Sequence, residues 1–180
     1  RKNNSHIKIF GDENLNKLIR ENKKVIFVSG HFSNFELMSM EITKQNIKLA
    51  TIYRPLNNYF LNPFMEYLRK KYVCENQIKK GINGVRETIE FIKTDHSIAL
   101  MIDQRVTEGE KIPFFSKPAY TTTLPAQLSL KFNLPIVPVF IERERNDFYN
   151  LRFMKEVNPQ DFKNKVELSK KLNQILEQLI

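Results

Sequence analysis

Apolar residues recur along this chain in two rhythms that alternate. Steps of three and four put Leu15, Leu18 and Ile19 on one face over Glu13–Asn22 and predict a short helix. The same spacing predicts helices over Asn34–Thr43, Asn58–Lys71, Gly81–Lys93 and Lys165–Ile180. Pro63 suits a first helical turn or a kink. Between the helices lie short continuous apolar runs of the kind buried strands leave: Lys24–Ser29, Ile47–Tyr53, Ser97–Ile102 and Ile136–Ile141. Val73–Glu75 reads as a further short strand, and Phe148–Lys155 alternates like one. Thr121-Thr122-Thr123 precedes a helix through Phe132 with Pro125 in its first turn. Pro138 interrupts an otherwise central-looking strand, which an edge or bulge position would explain. Arg105–Lys111 reads as a polar loop, followed by the short apolar stretch Ile112–Phe115. Strands alternating with helices predict an α/β fold, a mostly parallel sheet with helices on both faces. The chain's 180 residues suffice for one domain with a substantial core. No repeat, low-complexity tract or linker divides it, so a single domain over 1–180 is expected.

Charge narrows the partners. A formal net charge of +9 makes the surface attractive to anions: nucleic acid, acidic lipid headgroups or an acidic protein. The lysines are scattered in pairs such as Lys23-Lys24, Lys70-Lys71 and Lys79-Lys80 and form no dense arm, which weakens the nucleic-acid reading. The single cysteine, Cys74, permits no intrachain disulfide and reads as a small core residue. No apolar run approaches the ~20 residues of a membrane-spanning helix. The chain opens on Arg1 and closes inside an amphipathic pattern, so a fragment of a longer protein is expected.

One stretch combines these signals with chemistry. Val25–Ser29 is an apolar run broken by Gly30, and His31 follows at once. Ser33-Asn34-Phe35-Glu36 then has the form of a capping box, with Ser33 as N-cap and Glu36 three residues on. An imidazole is thereby set at the exit of a core strand, the edge at which α/β folds bind ligands. His31 and Glu36 are five apart, roughly 140° on a continuous helix, so they meet only if His31 lies in the loop and Glu36 in the first turn. In that arrangement a carboxylate braces a general base; on spacing alone, a helix cap next to an ordinary loop histidine is the better explanation of these residues.

Further stretches join it in order: Tyr53-Arg54-Pro55-Leu56-Asn57-Asn58, Met101-Ile102-Asp103-Gln104, Pro113-Phe114-Phe115 before a threonine-rich turn, and Pro135-Ile136-Val137-Pro138-Val139-Phe140. With Ser29-Gly30-His31-Phe32-Ser33-Asn34-Phe35-Glu36, this series resembles the lipid A biosynthesis late acyltransferases, the lauroyl/myristoyl transferase family with its H-x4-D/E motif, over about residues 20 to 158. The resemblance implies a glycerolipid-acyltransferase-like α/β fold. It implies fatty acyl transfer from acyl carrier protein to a hydroxyl of an acylated lipid A precursor, an anionic glycolipid. The place would be the membrane surface on the cytoplasmic face of the bacterial inner membrane, with no metal or bound cofactor and no nucleic acid as partner. Carried onto this sequence, it makes His31 the base and Glu36 its orienting carboxylate. Arg54, Asp103, Gln104 and Asn34 become substrate-binding residues, Arg54 toward a phosphate or the developing oxyanion and Asp103 toward Arg54 or the acceptor.

The chemistry agrees: a hydroxyl attacking a thioester must lose a proton, and a neutral imidazole is suited to take it. Direct transfer needs no enzyme nucleophile, and G-x-S-x-G is absent around Ser29 and Ser33. Phe35 stands where many members carry Trp, and Ser116 where a Gly is common, which leaves the tightness of that turn open. The family's C-terminal segment has no counterpart before Ile180. Transfer to another lipid hydroxyl would leave every motif in place, and a basic nucleic-acid-binding domain is the alternative from another class. A zinc hydrolase is disfavoured, because H-E-x-x-H is absent and the chain has three histidines.

Overall fold

Ile26, Phe27 and Val28 are at most 2% exposed, and this run forms the strand on which the candidate site is mounted. The computed structural model describes residues 6–107 and 109–180. In chain order the elements are β1 (Ile7–Phe10), α1 (Asp12–Arg20), β2 (Ile26–Ser29), α2 (Glu36–Lys44), β3 (Leu49–Tyr53) and α3 (Leu61–Leu68). After a π-helical turn, Arg69–Val73, come β4 (Asn76–Lys79), α4 (Ile82–Lys93), β5 (Ser97–Met101), β6 (Glu110–Phe114) and β7 (Lys117–Thr121). The chain ends with α5 (Leu124–Phe132), β8 (Ile136–Arg143), β9 (Tyr149–Phe153) and α6 (Lys165–Glu177). The chain is thus α/β, and four of its five described pairings between large-sheet strands are parallel.

Two compact units are formed, one from residues up to Phe35 with Met101–Ile180, the other from Glu36–Leu100. In the first, the strands lie in the order β1-β9-β8-β2. β2 runs parallel to β8, β8 antiparallel to β9, and β9 parallel to β1. In the second, β3 runs parallel to both β5 and β4. There α4 approaches β4 so closely that a Cβ on Gly84 would stand 2.0 Å from the Lys79 carbonyl oxygen, which only glycine permits.

Several expectations are corrected. The short strand expected at Val73–Glu75 lies later, at Asn76–Lys79; Val73 closes the π-helical turn instead. Only Ile78 of β4 is buried, so the strand carries almost no apolar signal. The capping box does not form: α2 begins at Glu36 itself, and Ser33 has a left-handed backbone at φ 43°. Pro138 lies on an interior strand of its unit and not at an edge. Its missing N–H falls opposite residues 154–156, which have left strand form, while its carbonyl accepts Met154 N–H at 2.9 Å.

The β6–β7 hairpin was not apparent from the residues, since both strands contain proline. Pro113 and Pro118 face each other in register, next to the pair Phe114–Lys117 that closes a two-residue turn. In a tight antiparallel hairpin that second pair exchanges no ladder bonds, so neither missing N–H is needed. The hairpin is held by α6. Buried Asn173 donates to the Pro113 carbonyl at 3.0 Å and to Thr121 Oγ1 at 3.1 Å, and Glu177 accepts the Phe115 N–H at 2.7 Å. α6 itself starts at Asn164, whose side chain accepts from the Val166 and Glu167 N–H groups.

Candidate active site

The end of β2 is pinned before the site begins. Ser29 is 1% exposed, and its hydroxyl donates to the Val139 carbonyl at 2.7 Å, so its proton is committed to holding β2 against β8. The Ser29 carbonyl accepts the Ile102 N–H at 2.9 Å, which brings the residue after Ile102 alongside Gly30 and His31. That residue is Asp103. A Cβ on Gly30 would stand 2.9 Å from the Phe32 ring and 3.4 Å from the Asp103 carboxyl carbon, so a side chain here would crowd the ring and touch the carboxylate.

Asp103 grips His31 twice. Its Oδ2 accepts the His31 backbone N–H at 2.8 Å, and its Oδ1 lies 2.7 Å from ring Nδ1. A carboxylate only accepts, so Nδ1 carries the hydrogen and Nε2 of the neutral ring keeps its lone pair. Gln104 brings its amide nitrogen to 3.4 Å from Nε2. Phe35 sets its ring edge-to-face on the imidazole, with centroids 4.7 Å apart, while Phe32 turns away onto Phe140. The His31 side chain is 34% exposed, so the ring is oriented yet open to a substrate.

Glu36, to which the resemblance gave the task of orienting the imidazole, accepts from Arg69 Nε at 2.8 Å. The carboxylate described on the ring is that of Asp103, for which the sequence suggested Arg54 or the acceptor. Arg69 also lies over the Tyr53 ring, 5.5 Å from its centroid, and its Nη1 is buried with no hydrogen-bond partner among the described residues. Nothing in the sequence singled out Arg69, since it stands 33 positions from Glu36 in a basic run. Tyr53 in turn donates to Glu66 Oε1 at 2.7 Å. That bond first, then Asn62 and Lys79, hold the Glu66 carboxyl down to about 2, and burial with Glu66 beside it pushes the Tyr53 hydroxyl up.

Arg54 is exposed just beyond β3 and forms no ion pair among the described residues. Asn34 is exposed in the loop before α2, with no described side-chain hydrogen bond. His6 packs on Phe148, and the His96 ring bonds the Thr94 turn. Cys74 is buried, with its thiol pushed up by that burial. Among the described residues no group of three or more His, Cys, Asp or Glu stands where it could hold a metal ion, and no helix is long and apolar enough to cross a membrane.

The fold is similar to that of a solved acyltransferase. The 1-acyl-sn-glycerophosphate (LPA) acyltransferase PlsC from Thermotoga maritima matches with a TM-score of 0.60 at 18% identity, over 96% of this chain and 69% of that one. The family is shown by sequence: that of the bacterial lipid A biosynthesis acyltransferases matches residues 1–180, and the chain belongs to it. It is therefore an acyltransferase of lipid biosynthesis. No curated protein matches the chain.

Proposed function

We propose that this chain transfers a fatty acyl group from the thioester of acyl carrier protein to a hydroxyl of an acylated lipid A precursor, at the cytoplasmic face of the inner membrane, with His31 as general base. The observation that carries the reading is the two-point hold of Asp103 on His31, which keeps the hydrogen on Nδ1 and leaves the Nε2 lone pair, touched by the Gln104 amide alone among the described residues, to accept a proton. The acceptor oxygen attacks the thioester carbonyl carbon as its proton passes to Nε2. Asp103 stabilises the imidazolium that forms, and the tetrahedral adduct expels the thiolate, which takes the proton back. Ester and free thiol leave, and no enzyme nucleophile is consumed. Ser29 is spoken for by Val139, which favours direct transfer. Arg54, exposed and without an ion pair among the described residues, is read as a guanidinium for the acceptor's phosphate, with Asn34 and Gln104 as further polar contacts. The +9 charge suits an acidic carrier protein and a phosphorylated lipid.

The H-x4-E spacing supports a second assignment, with Glu36 as the orienting carboxylate. Steady-state kinetics with acyl carrier protein as donor and a panel of lipid acceptors, 1-acyl-sn-glycerophosphate among them, tests both. His31→Ala and Asp103→Asn are each expected to lower kcat by about 10²–10⁴ with the fold retained. Glu36→Gln is expected to cost far less. The reverse order of Asp103→Asn and Glu36→Gln would return the role to Glu36, and full activity of His31→Ala would reject the base. Transfer to 1-acyl-sn-glycerophosphate but not to lipid A precursors would reassign the acceptor.

A further inference from the structure

Helix α3 is mounted with its polar side inward. Asn62, Glu66 and Arg69 follow one another at steps of four and three, and all three bond into their own unit. Asn62 accepts the Leu56 N–H at 2.8 Å, Glu66 accepts the Tyr53 hydroxyl, and Arg69 holds Glu36. The opposite stripe, at the same steps, is Phe60, Phe64 and Tyr67, and these are 94%, 57% and 54% exposed. Tyr59 adds a ring at 91%, and no residue of α3 is buried. An amphipathic helix of a water-facing surface is built the other way round, so this stripe is made for an apolar neighbour.

Charge says which. Between residues 54 and 72 the only acid is Glu66, turned inward and paired with Lys79 at 3.1 Å. The exposed charges there are Arg54, Lys70 and Lys71, all positive. A second copy of the same face would meet its own sign, whereas an anionic bilayer offers the opposite one. Lys71 Nζ stands 5.3 and 5.2 Å from the Tyr67 and Tyr72 ring centroids and 3.0 Å from the Tyr67 hydroxyl. Tyrosine rings around an ammonium at the end of a phenylalanine stripe suit the level of lipid headgroups.

We infer that the α3 stripe is the surface by which this protein docks on an anionic lipid bilayer, Phe60 and Phe64 entering the acyl boundary and Lys70 and Lys71 meeting headgroup phosphates. The inference deepens the membrane-surface part of the proposed function and rests on it. The chain has no tryptophan, so Phe60→Trp is a clean reporter. With phosphatidylcholine vesicles containing phosphatidylglycerol, its emission is expected to shift to the blue. Vesicle sedimentation is expected to weaken at least about tenfold for Phe60→Ser/Phe64→Ser, to weaken for Lys70→Glu/Lys71→Glu, and to fall as salt rises.

The inference is overturned if the wild type does not sediment with these vesicles, if the Phe60→Ser/Phe64→Ser variant sediments as well as it does, or if Phe60→Trp stays unshifted while the protein is bound. A blue shift that grows with protein concentration and without lipid would make the occupant a second copy. His31→Ala is expected to bind vesicles like the wild type. Lost vesicle affinity with retained transfer to a detergent-dispersed acceptor therefore rejects the surface alone, and lost transfer with retained affinity rejects the chemistry alone.

Discussion

One carboxylate making two hydrogen bonds to one histidine fixes rotamer, tautomer and position together, and small errors in that placement are costly. Gly30 is where such an error is easiest to introduce. Alanine there would press a methyl group against the Phe32 ring, 2.9 Å away, and bring it into contact with the Asp103 carboxyl carbon at 3.4 Å. Gly30→Ala is expected to lower kcat by about tenfold or more while the far-ultraviolet dichroism is unchanged, because a ~1 Å displacement of a catalytic group is costly. Glu66 supports a prediction about pH. Its folded carboxyl lies at about 2 against an ordinary 4.5, so below 4.5 the unfolded chain binds the extra proton. The stability it contributes is full above that point and is lost as pH falls toward 2. The melting temperature of the wild type is therefore expected to drop more steeply between pH 4.5 and 2 than that of Glu66→Gln; parallel curves would refute the assignment.

Elements show the same division between rhythm and environment. The β6–β7 turn places Phe115 and Ser116 at φ 47° and 61°, both left-handed, where a two-residue hairpin favours Asn-Gly. The tightness left open by Ser116 is thus answered: the turn is tight, and Glu177 holds it by accepting the Phe115 N–H. Ser116→Gly is expected to raise stability by about 1 kcal/mol in denaturant unfolding, since glycine adopts that backbone without steric cost. β1 and this hairpin escaped the periodicity reading because four residues are too short to show a period and a proline in each hairpin strand argues against a ladder. α3 was legible as a helix with Pro63 in its first turn, but which of its stripes faces the protein was not. Periodicity locates a face; its direction depends on whether Tyr53 and Glu36 stand ready to receive Glu66 and Arg69.

For the whole molecule, the alternation of strand and helix was enough to place the chain among α/β proteins. The ordered series of motifs narrowed that to the acyltransferase family to which the chain belongs. The sequence by itself determined the backbone regime of the helices and of the buried strands β2, β3, β5 and β8, and the position of His31 at a strand exit, because period and apolar content are local properties that adjacent residues carry together. Only the tertiary structure decided that the ring's carboxylate comes from Asp103, 72 positions away, that Glu36 is held by Arg69, and that α3 turns its aromatic stripe outward. Those choices depend on strand register and side-chain rotamers set by packing, and no spacing along the chain encodes which of two nearby carboxylates a neighbouring strand brings to an imidazole.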